Sequence, residues 1–226
     1  MVNAGTPNAD QYAYWNGPEA EHWVAYDDHY DAALTRFGSR VLDAAGIGSG
    51  DRVLDVGCGC GATTLDAARR APAGSALGLD LSGPMLELAR RRAAAQHITN
   101  VRFDRGDAQT CTFPRGAFDL AISRFGVMFF DDPVSAFANV GRALRSGGRV
   151  AFVCWQELPA NEWIAVPAAA ALAHVPMPDL GEPGGPGAFA FADPDRVRQV
   201  LEDAGFARVD VDGVREPLLI GATLDE

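Results

Sequence analysis

Apolar residues recur along this chain in two rhythms, and the change from one to the other outlines the fold. Trp23, Tyr26 and Tyr30 stand three and then four positions apart, the spacing of one helical face, which predicts a helix over Pro18–His29. Leu34, Phe37, Val41 and Leu42 keep that rhythm in a second helix over Asp31–Ala45, which Gly46, Gly48 and Gly50 end. Short β-favouring runs then alternate with helical ones. Arg52–Val56, Ala76–Asp80, Val101–Asp104, Leu120–Ser123 and Arg149–Trp155 predict five strands. Ala62–Arg70, Pro84–Ala95 and Pro133–Arg145 predict the helices between them. The last of these has Asp132 as N-cap, Pro133 at its first position, Val134, Phe137, Val140 and Leu144 towards the sheet, and Gly147-Gly148 as its stop. Such alternation predicts an α/β fold, a doubly wound and mostly parallel sheet with helices on both faces.

Three stretches fall outside the alternation. Residues 1–17 are polar and turn-rich, with Tyr12, Tyr14 and Trp15 interspersed. Gln156–Asp193 is rich in Ala, Pro and Gly, with a short helix expected over Trp163–Ala173 and a flexible loop at Pro183–Gly187. An insertion after the fifth strand lies beside the carboxyl ends of the sheet, where it serves either as a substrate lid or as a plain surface connection. A final helix over Asp195–Ala204 leads to a sixth strand, Ala207–Val214, and a paired run at Pro217–Ile220. The chain thus reads as one unit over 1–226: a helical cap (1–45), a core (46–155), the insertion (156–193) and a C-terminal helix and strand (194–226).

The chemistry concentrates where the first strand ends. Val53–Thr64 runs from an apolar strand through Gly57, Gly59 and Gly61 into a helix-compatible stretch. Glycines at such a turn let a ligand approach the backbone, and the helix beyond offers unpaired N–H groups. Asp80 closes the next strand about 20 residues on, where a βαβ nucleotide fold places the carboxylate that takes ribose hydroxyls. Gly57, Gly59 and Ala62 formally satisfy a dinucleotide fingerprint. Asp55, two residues before the first glycine, points elsewhere, because a carboxylate there repels a pyrophosphate but suits an amino group and a sulfonium. A third strand ends in Gly106-Asp107-Ala108, an acid placed to accept from an adenine amine.

In the order and spacing of Val53–Thr64, Gly78–Ser82, Gly106–Gln109, Phe118–Pro133 and Leu144–Trp155, the chain resembles the class I S-adenosylmethionine-dependent methyltransferases. The likeness is nearest to the small-molecule branch typified by ubiquinone and menaquinone biosynthesis, and it is strongest over residues 40–155. The resemblance implies a Rossmann-like sheet, S-adenosyl-L-methionine as cofactor, and in-line methyl transfer to an oxygen, nitrogen or carbon of a small molecule. It implies a cofactor site made of Asp55, Gly57, Cys58, Gly59, Gly61, Asp80, Leu81, Met85, Asp107, Ala108, Ser123 and Arg124. Gly57, Gly59 and Gly61 pass under the methionine and ribose, Asp55 faces the methionyl amino group, and Asp80 takes both ribose hydroxyls. Leu81 and Met85 pack on the adenine face, which for Met85 competes with a core role, and Asp107 with Ala108 reads the adenine edge. Arg124 either orients an anionic substrate or pairs with an acid. Tyr14, Trp15, Trp23 and Tyr26 either fold over the cofactor or dock the first helix on the sheet. No base is selected among His22, His29, His97 and His174, so the catalytic residue stays open. The family also continues through one more helix and an antiparallel strand. Nothing after Ile220 supplies them, so either the chain is truncated or its C-terminal edge is built differently.

Composition narrows the remainder. A net charge of −11 argues against a nucleic-acid substrate, and the basic run Arg90-Arg91-Arg92 reads as a solvated helix face. No apolar run is long enough to span a bilayer, and Met1–Pro7 lacks the features of a signal peptide, which makes the cytoplasm the default location. Cys58, Cys60, Cys111 and Cys154 form no metal spacing, so no metal site is expected. A nicotinamide-dependent oxidoreductase needs a base such as a Tyr-x-x-x-Lys pair, which fits poorly with a chain this poor in lysine. A non-catalytic cofactor-binding protein is the other alternative.

Overall fold

A computed structural model describes residues 6–172, 174–175 and 184–219. Three helices come first: α1 (Ala9–Tyr14), α2 (Pro18–Ala25) and α3 (Asp27–Ala45). Then β1 (Arg52–Val56), α4 (Ala62–Arg70), β2 (Ser75–Asp80), α5 (Gly83–Ala95), β3 (Val101–Arg105), β4 (Phe118–Arg124), α6 (Pro133–Ala143) and β5 (Leu144–Val153) follow in order. Two more helices, α7 (Glu162–Ala171) and α8 (Pro194–Asp203), complete the described elements. None of the described helices is long and apolar enough to cross a membrane.

The five strands form one parallel sheet in the order β3-β2-β1-β4-β5. Alternate residues of each strand feed opposite faces. Leu54, Val56, Leu77, Leu79 and Ala121 join one apolar cluster around Phe137, while Val53, Ala76, Leu120 and Ile122 join a second with Val41, Leu42 and Ala45 of α3. Phe137, 1% exposed, is ringed by Phe130, Phe152, Phe191 and Phe206, so one α6 residue ties β5 to the C-terminal segment. Strand order reverses between β1 and β4. Loops leaving their carboxyl ends diverge there and open a crevice, the ordinary ligand position of such sheets.

Several expectations are corrected. The first long helix ends at Ala25 and the next begins at Asp27, because the chain bends at Tyr26 rather than after His29. Part of the polar stretch 1–17 forms α1, fixed at its ends by side-chain hydrogen bonds from Asn8 and Asn16. Gly147-Gly148 do not stop α6, which ends at Ala143. They lie inside β5, where pairing steps from Phe118 with Leu144 to Leu120 with Arg149 and the extra residues are looped out. Ala207–Val214 forms no sixth strand. Val209 and Val211 pack on the core, but that backbone pairs with no strand, nor does the described part of Pro217–Ile220. Ala173, Pro183 of the loop at Pro183–Gly187, and Ile220 lie outside the described residues, and the helix expected over Trp163–Ala173 ends at Ala171.

Main chain packs directly on main chain at the switch point. A Cβ on Gly57 would stand 2.6 Å from the Cα of Gly126, and one on Gly126 would stand 2.7 Å from both the Cα of Gly57 and the carbonyl oxygen of Val56. Both neighbours are backbone and cannot rotate away. Gly126→Ala is expected to destabilise the fold by about 1–3 kcal/mol, the usual cost of overpacking. Chemical denaturation checks this, and an unchanged midpoint contradicts the close approach.

Candidate active site

The crevice above β1 and β4 deepens into a cavity of about 400 Å³. Its floor is the loop after β1, and its roof comes from the N-terminal helices. Gly57 and Gly59 adopt left-handed φ of 68° and 53°, which glycine reaches without strain. The space where a Gly59 Cβ would stand holds only the Met85 sulfur at 3.8 Å, so bare main chain faces the opening.

Three carboxylates surround this floor, each held differently. Asp80, at the end of β2, accepts the Gly59 N–H at 2.7 Å on one oxygen and the Ser82 N–H at 2.8 Å on the other. Burial pushes its carboxyl up and those backbone donors pull it down, with burial the larger effect. Because each oxygen keeps acceptor capacity, the pair is aimed and still available. Asp55, 1% exposed at the end of β1, accepts from the Thr64 hydroxyl at 2.7 Å through one oxygen. Its other oxygen has no partner among the described residues. Burial pushes the Asp55 carboxyl up to about 7, against the pull of Thr64 and Arg124. Asp107, beyond β3, accepts from the Gln109 N–H at 2.8 Å and from the Asn8 amide at 2.9 Å.

Cys58, Leu81, Met85, Ala108 and Arg124 line the cavity together with Asp55, Gly57, Gly59, Asp80 and Asp107. Two expected residues do not line it. A Cβ on Gly61 would press on the Ala89 side chain at 2.8 Å and on Phe103 at 2.9 Å, so this glycine lets α4 approach α5 and β3. Ser123, 1% exposed, donates to the Val56 carbonyl at 2.7 Å and accepts from the Gly126 N–H at 3.1 Å. It braces the Gly57–Gly126 approach from beneath.

Arg124 pairs with an acid. Its guanidinium lies 3.0 Å from Asp31, which also meets Arg92 at 2.7 Å, and Arg92 reaches Asp27 at 2.6 Å. The basic run 90–92 is therefore not wholly solvated, because Arg92 turns inward and joins α5 to α3. Asp27 and Asp31 stand one helical turn apart, a spacing that marks one face and could have flagged the pair. Burial holds the thiols of Cys58 and Cys60 well above their usual range, so both stay protonated at neutral pH.

Aromatic rings wall the remaining sides. Trp23 stacks on Tyr30 with centroids 3.9 Å apart, and Trp15 meets Phe129 edge-on. On the far side Phe125 stacks on Trp155 at 4.1 Å, and Trp163 of α7 lies beside Trp155. Trp15 and Trp23 thus face the cavity, whereas Tyr14 and Tyr26 are 52% and 56% exposed and lie outside it. His29 is the histidine on the cavity wall, and the ring of His22 bonds the Tyr30 hydroxyl. The sequence reading missed Asn8, Asp27, Tyr30 and Asp31 as wall residues.

Residues 53–148 match the family described as a methyltransferase domain. The demethylmenaquinone methyltransferase of Deinococcus radiodurans is 32% identical over 165 residues, covering 69% of this chain and 67% of the relative. The nocamycin O-methyltransferase of Saccharothrix syringae is 31% identical over 80% of this chain and 69% of its own. The aklanonic acid methyltransferase DauC of a Streptomyces species is 38% identical over 53% of this chain, which spans about half (54%) of that relative. Among solved structures, a putative S-adenosyl-L-methionine-dependent methyltransferase of Methanococcus maripaludis superposes with a TM-score of 0.63 at 19% identity, over 91% of this chain and 88% of that one, a likeness of fold.

The Asp55 environment has a signed consequence for stability. An aspartate in the unfolded chain ionises near 3.8, whereas in the fold Asp55 keeps its proton to about 7. Between those values the fold binds the extra proton, so stability falls as pH rises through the window and levels off above it. The wild-type melting temperature is expected to drop from pH 4.5 to 7.5 relative to that of Asp55→Asn. Parallel melting curves for the two across that range contradict the assignment.

Proposed function

Since the chain belongs to the class I S-adenosylmethionine-dependent methyltransferases, we propose that it transfers a methyl group to an oxygen, nitrogen or carbon of a small, largely apolar acceptor held between the aromatic walls. One observation carries the reading: three carboxylates ring a floor of bare main chain, and the most buried of them has an oxygen with no partner among the described residues. That donor set fits a ligand with an ammonium, ribose hydroxyls and an adenine amine, and it opposes the pyrophosphate of a nicotinamide dinucleotide. Within this proposal Asp55 answers the ammonium with its unpartnered oxygen, and a cation there stabilises the ionised form. Asp80 offers one oxygen to each ribose hydroxyl, Asp107 with Ala108 takes the adenine edge, and Leu81 with Met85 flanks the ring. Gly57, Cys58 and Gly59 lie beneath the methionine and ribose. Arg124, held by Asp31, faces Asp55 across the cavity and limits the local negative charge.

When bound, S-adenosylmethionine supplies an electrophilic methyl carbon on a sulfonium leaving group. What the chain adds is position and dryness. Trp15, Trp23 and Phe129 on one side, with Trp155 and Trp163 on the other, exclude water and give a flat acceptor two aromatic surfaces. Trp163 stands on α7 within the insertion after β5, and Ala188 of that insertion also reaches the cavity, which supports a lid role for this segment. His29 is the candidate to accept a proton from a hydroxyl or amine acceptor. The acidic charge of the chain favours a small acceptor over a nucleic acid, in a cytoplasmic setting.

Calorimetric titration with S-adenosylhomocysteine tests the reading. Asp80→Ala removes two charge-assisted hydrogen bonds and is expected to weaken binding by about 100-fold or more, with the circular dichroism spectrum unchanged. Affinity within about twofold of wild type contradicts it.

A further inference from the structure

We infer that Asn8 is a positioning residue for adenine recognition, its side-chain amide fixing the Asp107 carboxylate so that one defined oxygen meets the base. This rests on the reading of Asp107 proposed above, and it extends the site to a segment 45 positions before the matched region 53–148 begins.

Asn8 is 2% exposed although it belongs to the N-terminal cap. Its φ of 55° and ψ of 25° lie in the left-handed region, which asparagine enters more readily than other non-glycine residues. In that pose its side chain is fully engaged. The amide donates to Asp107 Oδ2 at 2.9 Å and to Gln109 Oε1 at 3.1 Å, and the carbonyl accepts the Asp131 N–H at 2.7 Å. Its backbone N–H meets the Asp131 carboxylate. One buried side chain thus spans the loop after β3 and the loop after β4, across the mouth of the cavity that both line.

The acceptor arithmetic gives this clamp its meaning. An ionised carboxylate has about four acceptor sites, two on each oxygen. Asp107 Oδ2 takes Asn8 at 2.9 Å and the Thr110 hydroxyl at 3.3 Å, and Oδ1 takes the Gln109 N–H at 2.8 Å. Oδ2 is filled, so Oδ1 holds the remaining site and is the oxygen left for an exocyclic amine. Without Asn8 the carboxylate loses its most buried partner and can rotate, and the preference for an amine over a carbonyl at that edge fades. The far end of α1 is fixed on the same side of the cavity. Asn16 donates to the Leu81 carbonyl at 3.1 Å and accepts the Gly83 N–H at 3.0 Å, so α1 bridges the two loops that flank the base.

The test compares S-adenosylhomocysteine with its 6-oxo analogue, in which a carbonyl replaces the adenine amine, by calorimetry on the full chain. Wild type is expected to favour the adenosyl ligand by roughly tenfold or more, the usual weight of a hydrogen bond to a charged group. Asp107→Ala brings that ratio close to one. Asn8→Gly, which keeps the left-handed backbone and deletes the amide, shrinks the ratio to about twofold while leaving affinity for the 6-oxo ligand within about twofold of wild type. Asn8→Ala, which deletes the same amide without adding a charge beside Asp107, does the same. Equal weakening of both ligands, or a wild-type ratio in either Asn8 variant, overturns the positioning role while leaving Asp107 as the reader. A wild-type ratio in Asp107→Ala overturns the adenine reading itself, and the Asn8 role with it.

Discussion

The contact of Gly57 with Gly126 is the constraint on which the site depends. Parallel strands β1 and β4 end side by side here, and the first residue beyond β1 touches the second beyond β4 through main chain alone. Side chains are excluded from the junction, so the loops spread above it and the cavity opens between them. Ser123 secures the junction by bonding both partners, to the carbonyl of Val56 and the amide of Gly126. A buried serine and two glycines thus shape the cavity through main-chain geometry.

The carboxylates show how one sheet edge makes chemically distinct groups from a single residue type. Each terminates a different parallel strand or the turn just beyond it, so the spacing between strands sets the spacing between acids. Their surroundings then separate them. Asp80 is aimed by two backbone amides, Asp55 is buried with one oxygen unmatched, and Asp107 is braced by side chains from elsewhere in the chain. A buried carboxylate with an open lone pair is costly unless a cation meets it, which supports the role proposed for Asp55. The Arg124–Asp31–Arg92–Asp27 network works in the opposite sense, pairing charges internally and fastening α3 and α5 around the floor.

Much of this was legible in the sequence because it is local or periodic. Four strand spans were read to within two residues from runs of Val, Leu and Ile, while β5 begins five residues before the expected Arg149, and the glycine turn and the three acids sit at fixed offsets from those runs. What was not legible depends on partners distant in sequence. Gly61 faces α5 and β3 rather than the cavity, which only the packing of α4 decides. Asn8 finds Asp107 and Asp131 some 99 and 123 positions away, and no local pattern announces such a pairing. The short helix α1 owes its place to these bonds more than to its own propensity, since six residues form a marginal helix alone. Residues 207–219 erred in the other direction: their alternation of Val and polar positions reads as a strand, yet they pack on the core without joining the sheet.

A crystal structure of the full chain with S-adenosylhomocysteine puts the central claim to its most direct test. The account predicts the ribose hydroxyls on Asp80, the amino group on the free oxygen of Asp55 and the adenine amine on Oδ1 of Asp107, with the sulfur turned towards the aromatic walls. A ligand bound away from the Gly57–Gly59 turn, or one whose amino group leaves Asp55 unpartnered, contradicts it.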